Sequence, residues 1–209
     1  MGCHTGAVAE ATAPSEDPAQ DGGRGARRAQ APLDLVQDFV NTRNLMRGTD
    51  SLADPVAAQA WLPAPPRGRD DDQQLSELRD LRETLRRVLL THTTQEPVEA
   101  QAVSRLQQLS APSELATGVA VDGSCFVQPR RHDDTVSRVF AAIVEASLNG
   151  TWPRLKACAN PDCRWVFYDT SRNHSGAWCV MSICGSREKM RSYRQRRTDP
   201  ATPTHAVPG

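Results

Sequence analysis

Four cysteines arranged as two mirrored pairs constrain this chain more than anything else in it. Cys158-x4-Cys163 and Cys179-x4-Cys184 stand fifteen residues apart, and an arginine-dense run follows at once. Each pair can close a small chelate loop, and four thiolates satisfy the tetrahedral, sulfur-rich preference of Zn2+. The alternative is two disulfides, so the redox setting decides between them. Residues 1–31 have no apolar core of a signal peptide, and no later stretch is long enough to cross a bilayer. The expectation is a cytoplasmic, reducing location with no membrane partner, where thiols at such spacings bind metal. Four thiolates leave no open coordination position, so the reading is one structural Zn2+ and no catalytic residue.

Two cysteines stand apart from this pattern. Cys125 lies between Ser124 and Phe126 in a strand-like run and is expected to be a small buried residue, while Cys3 lies in a polar stretch. An acylation signal at Met1-Gly2-Cys3 is discounted, because Gly6 stands where a Ser or Thr is wanted.

With 209 residues, 38% of them apolar, the chain can bury one core and a small appended module. Residues 1–31 and 198–209 have too little apolar surface to offset the entropy of ordering, and both are expected to be disordered tails. The formal net charge of zero conceals a division. Residues 151–197 carry ten Lys and Arg against Asp162, Asp169 and Glu188, a surplus of seven that the rest of the chain cancels. Such asymmetry suggests a polyanion-binding module attached to a body that does not bind polyanions.

Helical periodicity dominates before that module. Residues 33–47 place Leu33, Val36, Val40 and Leu45 near one helical face with Phe39 alongside, and Gly48 ends the run. Asp54-Pro55 opens a short helix through Trp61-Leu62 that Pro63 stops, and residues 63–69 form a linker. Behind Asp70-Asp71-Asp72, the residues Leu75, Leu78, Leu81, Leu85, Val88 and Leu89 recur every three or four positions, the strongest amphipathic signal in the chain. A further helix over 97–109 offers Val98, Val103, Leu106 and Leu109 as core. Residues 119–127 predict two short strands around an Asp-Gly turn. Asp133-Asp134 starts a helix with Val136, Val139, Phe140, Ile143, Val144 and Leu148 inward, closed by Asn149-Gly150. The fold class expected is mainly α. A helical N-terminal domain with a short β-hairpin, residues 32–150, precedes a small four-cysteine zinc finger, residues 151–197, that ends in a basic helix.

Between the cysteine pairs, residues 164–168 alternate as a short strand would and 169–173 are turn-prone. Trp165, Phe167 and Trp178 are expected to pack round the metal, which supplies much of the folding free energy of so small a module. Here the chain resembles the CGNR-type zinc fingers that are joined to an N-terminal ABATE domain in bacterial, stress-related transcription regulators. The resemblance is carried by Cys158, Cys163, Phe167, Asp169, Ser171, Arg172, Asn173, Trp178, Cys179, Met181, Cys184, Gly185 and Arg187. Upstream, Asp38 to Thr42, Trp61-Leu62 and the helix around Leu78 to Arg82 resemble the ABATE domain more loosely, so it covers roughly residues 33–197. Ser186 departs from the family's Asn but can still cap the following helix. Gly176-Ala177 stand where members commonly show arginines, which implies weaker contact with phosphates.

A helix over 186–197 puts Arg187, Arg191 and Arg194 on one face, with Met190 and Tyr193 rotated to dock on the finger. The functional reading is a zinc-dependent DNA-binding regulator whose contacts come from Arg172, Arg187, Lys189, Arg191, Arg194, Arg196 and Arg197. The plain alternative is a solvated basic helix, or one paired with the acidic body. One helix of a single finger rarely covers a long site, so a homodimer or protein partner is expected. The resemblance implies a sensing or regulatory body, and Asn41, Thr42 and Arg79 are candidates to line a pocket for a small-molecule effector, although such residues more often cap or bridge helices. From a different class, the finger would be a zinc-stapled protein-interaction or RNA-binding module without sequence-specific DNA binding. An enzyme is least expected, since His92, His132 and His174 are scattered and no nucleophile-base motif is present.

Overall fold

The strongest apolar stripe becomes the spine of the fold. In the computed structural model, which describes residues 27–62 and 71–198, helix α3 (Asp71–Thr94) buries all of Leu75, Leu78, Leu81, Leu85, Val88 and Leu89. At about 1.5–3 kcal/mol per fully buried large apolar side chain, this one face is the largest single contribution to the core. Against it lie α1 (Leu33–Asn41), the short α2 (Pro55–Gln59) and α4 (Ala100–Ser110). Helix α5 (Thr135–Leu148) packs on α1 and contributes Val139, Ala142 and Ala146.

The caps expected from the sequence are formed at two helix starts. Asp54 Oδ1 accepts from the backbone N–H groups of Val56 and Ala57, with Pro55 at the first helical position. Asp134 Oδ1 accepts from Val136 N at the start of α5.

Three two-stranded antiparallel ladders complete the described structure. The hairpin expected near the Asp-Gly turn is longer than predicted, with β3 (Leu115–Val119) paired to β4 (Cys125–Pro129) and Gly123 at φ +83° in the turn. A second hairpin, β1 (Arg43–Asn44) with β2 (Thr49–Asp50), replaces the last two turns of the predicted 33–47 helix. The reason is local. Thr42 turns its hydroxyl back to Phe39 O, and Asn44 Oδ1 accepts from Arg47 N, so both side chains compete with the helix for its backbone. Leu45 therefore leaves the α1 face, and Gly48, at φ +68°, serves the hairpin turn rather than a helix end.

The third ladder, β5 (Leu155–Ala157) with β6 (Val166–Tyr168), lies within the cysteine-bearing segment yet packs on α3. Leu155, Ala157 and Val166 belong to the same buried cluster as α1, α3 and α5.

Other expectations fail on burial. Val98 and Val103 are exposed, and α4 instead buries Ala102 and half-buries Leu106 and Leu109. Leu148 is 79% exposed, because the last turn of α5 runs past the end of the core before Gly150 reverses the chain. Cys125 is exposed on β4, not buried. The predicted linker over 63–69 and both predicted tails, apart from the edge residues 27–31 and 198, lie outside the described residues.

Candidate metal centre and basic helix

Cys158 follows β5 directly, so the strand that is buried against α3 also aims the first sulfur. Its N–H donates to Trp165 O across the ladder's end. The turn that follows is organised by Asn160, whose side chain accepts from Asp162 N and whose carbonyl accepts from Cys163 N and Arg164 N. Arg164 sits at φ +50° and folds its guanidinium back onto Cys158 O and Ala159 O. Ala159 N donates to Ala177 O, which brings the second pair alongside the first. Cys179 and Cys184 are joined through a π-helical turn, Met181–Gly185. A side chain at Gly185 would displace the Met181 thioether and come into contact with Trp178.

The four sulfurs all lie within 4.8 Å of one another, with Cys163 to Cys179 at 3.6 Å and Cys179 to Cys184 at 3.7 Å. A disulfide needs about 2.05 Å. A tetrahedron with Zn–S bonds of about 2.3 Å has edges of about 3.8 Å, so the separations fit one shared ion. Neighbouring thiols donating to Cys184 and Cys158 hold both below the ordinary thiol range, whereas their hydrogen bonds push Cys163 and Cys179 above it. A divalent cation is what lets all four ionise together. Cys158, Cys163, Cys179 and Cys184 can hold one Zn2+, with Trp165, Trp178 and Ile183 packed around them. Phe167, expected among these, is buried but lies outside that cluster.

Behind the sulfurs, Lys156 and Asp169 form an ion pair of 2.9 Å with side chains only 2% and 0% exposed. Burial pushes the Asp169 carboxyl up, but hydrogen bonds from Ser171, Lys156 and Gly176 outweigh it and hold the group well below the usual carboxylate range. Gly176 N donates to Asp169 Oδ2 at 2.8 Å, and a Cβ at Gly176 would come within 2.7 Å of Asp169 Oδ1. A side chain at position 176 would need the Asp169 carboxylate to shift.

Helix α6 (Ser186–Thr198) continues from the π turn without a break. Ser186 therefore has helical backbone angles and does not act as an N-cap, contrary to the sequence reading; the turn begins at Val180 with no side-chain cap. Arg187, Arg191 and Arg194 line one open groove together with Ser182, Ile183, Ser186 and Met190. Met190 and Tyr193 are 54% and 53% exposed, so about half of each side chain stays open to solvent where burial on the finger was expected. Arg191 makes an exposed ion pair with Asp162 in the first cysteine turn at 3.2 Å and reaches Glu188 at 3.5 Å. Lys189 is exposed on α6 and Arg172 in the loop between the pairs, and Arg196 and Arg197 lie in the last turns of α6.

Asn41, Thr42 and Arg79 each make hydrogen bonds that bridge elements of the body. Asn41 clips β6 by donating to Val166 O at 2.9 Å and accepting from Val166 N at 2.8 Å. Thr42 accepts from Arg82, which is buried and also makes a two-pronged contact with Asp50. Arg79 donates to Leu52 O and Ala53 O.

Sequence reasoning missed the seam between body and cysteine turns. Arg86, buried on α3, donates to Val40 O, Arg43 O and Arg164 O. His92 Nδ1 meets Leu155 O at 2.8 Å, Thr93 donates to Ala157 O, and Gln37 donates to Val166 O. A signal was present: Arg82 and Arg86 are four residues apart within the apolar stripe of α3, where a solvated arginine does not belong.

Comparison with known proteins now adds a family. The CGNR zinc finger family matches residues 154–197. The ABATE family, described as "Putative stress-induced transcription regulator", matches residues 33–150. No curated protein matches the chain. The chain belongs to the ABATE family and carries a CGNR zinc finger.

Proposed function

We propose, with that membership as premise, that the protein is a zinc-dependent DNA-binding transcription regulator. In this reading residues 151–197 contact duplex DNA and residues 32–150 form the regulatory body. The observation that carries it is the attachment of α6: a basic helix continuous with a four-sulfur centre and tied back to it through Arg191 and Asp162. Bound zinc would supply a fixed, coordinatively closed scaffold. The chain's own residues do the rest. Arg187 and Arg194 offer phosphate-clamping or base-reading guanidiniums from one face, and Lys189 adds a point charge. A closed four-thiolate site suits regulation rather than catalysis, and free thiolate chemistry suits a reducing, cytoplasmic setting. Among the described residues no helix is long and apolar enough to cross a membrane.

A second reading is favoured by exposed apolar groups beside the arginines. Met181 is 64% exposed and Met190 shares the arginine groove, a surface that also fits an acidic protein partner or a second copy of the chain. Gel-shift titrations at rising salt separate the two. If about six cations each neutralise a phosphate, log K falls against log salt with a slope of roughly −5. The triple variant Arg187→Ala/Arg191→Ala/Arg194→Ala is expected to flatten that slope by roughly half. No retardation of wild type at low salt would eliminate the DNA reading and leave the protein partner.

A further inference from the structure

Residues 170–176, between the cysteine pairs, carry no large apolar side chain, yet their backbone is held at several points. Residues 170–176 read Thr-Ser-Arg-Asn-His-Ser-Gly, and Thr170, Arg172, Asn173, His174 and Ser175 are all exposed. Nothing in it buries surface that would order it. Order comes from beneath, through buried charge. The Lys156 ammonium donates to His174 O and Gly176 O as well as to Asp169, and the Asp169 carboxylate accepts from Ser171 N and Gly176 N. Arg154 Nη1 donates to Asp169 O and Ser171 O, and Arg27 lies 3.7 Å from Asp169 Oδ1.

A buried ion pair is a poor source of net stability, because desolvating both charges offsets their attraction. What it does supply is a single backbone path. Here that path takes His174, which is not glycine, to φ +51°, a left-handed conformation that few non-glycine residues adopt. On top of the loop, Ser175 Oγ donates to Asn173 Oδ1 at 2.8 Å and Ser171 Oγ accepts from Ser175 N, so the amide plane of Asn173 is itself oriented. A loop whose interior is built at this cost, and whose exterior is only polar, is organised to present those polar groups.

We infer that the loop Arg172-Asn173-His174-Ser175 is a second DNA-contacting element, in which Asn173 reads a base edge and Arg172 meets a phosphate, with Lys156, Asp169 and Arg154 as positioning residues. An asparagine amide held in one plane matches the paired N6 donor and N7 acceptor of adenine in the major groove. The inference rests on the DNA reading above and adds sequence discrimination to it, which the clustered arginines of α6 do not supply through phosphate contacts.

The test selects bound sequences from a randomised DNA duplex pool with the full-length zinc-loaded protein, then measures salt dependence on the selected duplex. Asn173→Ala is expected to lower the preference for the selected duplex over random duplex about tenfold or more, with the salt slope unchanged. Arg172→Ala is expected to reduce the slope by about one and weaken both duplexes alike. Ser175→Ala, on an exposed residue, is expected to lose part of the same preference through the Asn173 amide. Lys156→Met tests the latch; zinc stoichiometry reports whether it folds, and Ser175→Ala answers the question if it does not. If Arg172→Ala, Asn173→Ala and Ser175→Ala all keep wild-type preference and slope while the α6 triple variant loses binding, the loop inference falls and the DNA reading stands. If wild type binds no duplex, the DNA reading itself fails and the loop inference with it.

Discussion

An apolar cluster running from Leu33 and Phe39 on α1 through Leu85 on α3 to Val139 on α5 closes the body, whereas around the sulfurs of Cys158, Cys163, Cys179 and Cys184 only Trp165, Trp178 and Ile183 are packed. The two regions meet along β5 and β6, which lie in the finger by sequence and in the body by packing. The comparison teaches that a metal module this small does not fold around its ion alone. Its first sulfur is carried on a strand whose burial the body supplies, and its first turn is held by Arg86 from α3. A bound metal would be left to hold the two cysteine turns, residues 158–164 and 177–185.

The sharpest way to break this contrast is to remove the metal. Cys163→Ser, or a strong chelator, is expected to unfold the two cysteine turns, residues 158–164 and 177–185, and release α6, since zinc supplies on the order of 10–16 kcal/mol to finger peptides. The helical signal of the body is expected to survive in circular dichroism. Complete unfolding of the chain would show one cooperative unit instead of two.

A smaller effect probes the seam. Arg86→Met leaves the carbonyls of Val40 and Arg164 without their donor, at about 1–3 kcal/mol for each buried group left unsatisfied. Both urea unfolding of the body and zinc affinity in competition with a chelator are expected to weaken, the latter by about 10-fold or more. Arg87→Met, one residue along on the exposed face, serves as the control and is expected to change neither.

The smallest effect is a pH dependence at the same seam. Burial pushes the His92 imidazole below its ordinary value, with the nearby Lys156 charge adding to it and the Leu155 carbonyl opposing. A base depressed in the folded state is neutral there, so its contribution is complete above the unfolded value of about 6.5 and is lost as pH falls below it. Melting curves in excess zinc between pH 7.5 and 5.5, values of roughly that span about the unfolded pKa, should show wild type losing stability relative to His92→Gln. The difference is bounded by about 1.4 kcal/mol per pH unit; parallel curves would remove His92 from the seam's pH response.

Legibility in the sequence followed the range of the interaction. The periodicity of α3, the caps at Asp54 and Asp134, and the cysteine spacing are local patterns, and each appears in the structure where the residues placed it. Leu45, Val103, Leu148 and Cys125 were misplaced because apolar character states only a preference for burial. Which side of an element meets the core depends on neighbours far along the chain. The roles of Asn41, Arg79 and Arg86 were hidden for the same reason, since each is bonded to backbone 26 to 125 residues away.

By itself the sequence determined the helical class of the body, the four cysteines that could hold a metal and the concentration of positive charge behind them, because spacing and composition carry that information directly. Only the tertiary structure decided that β5 and β6 join the body's core, that the Lys156 and Asp169 charges meet beneath a polar loop, and that Arg191 ties α6 to the first cysteine turn. Those outcomes depend on the free energy of contacts between segments distant in the chain, which no local pattern of residues encodes.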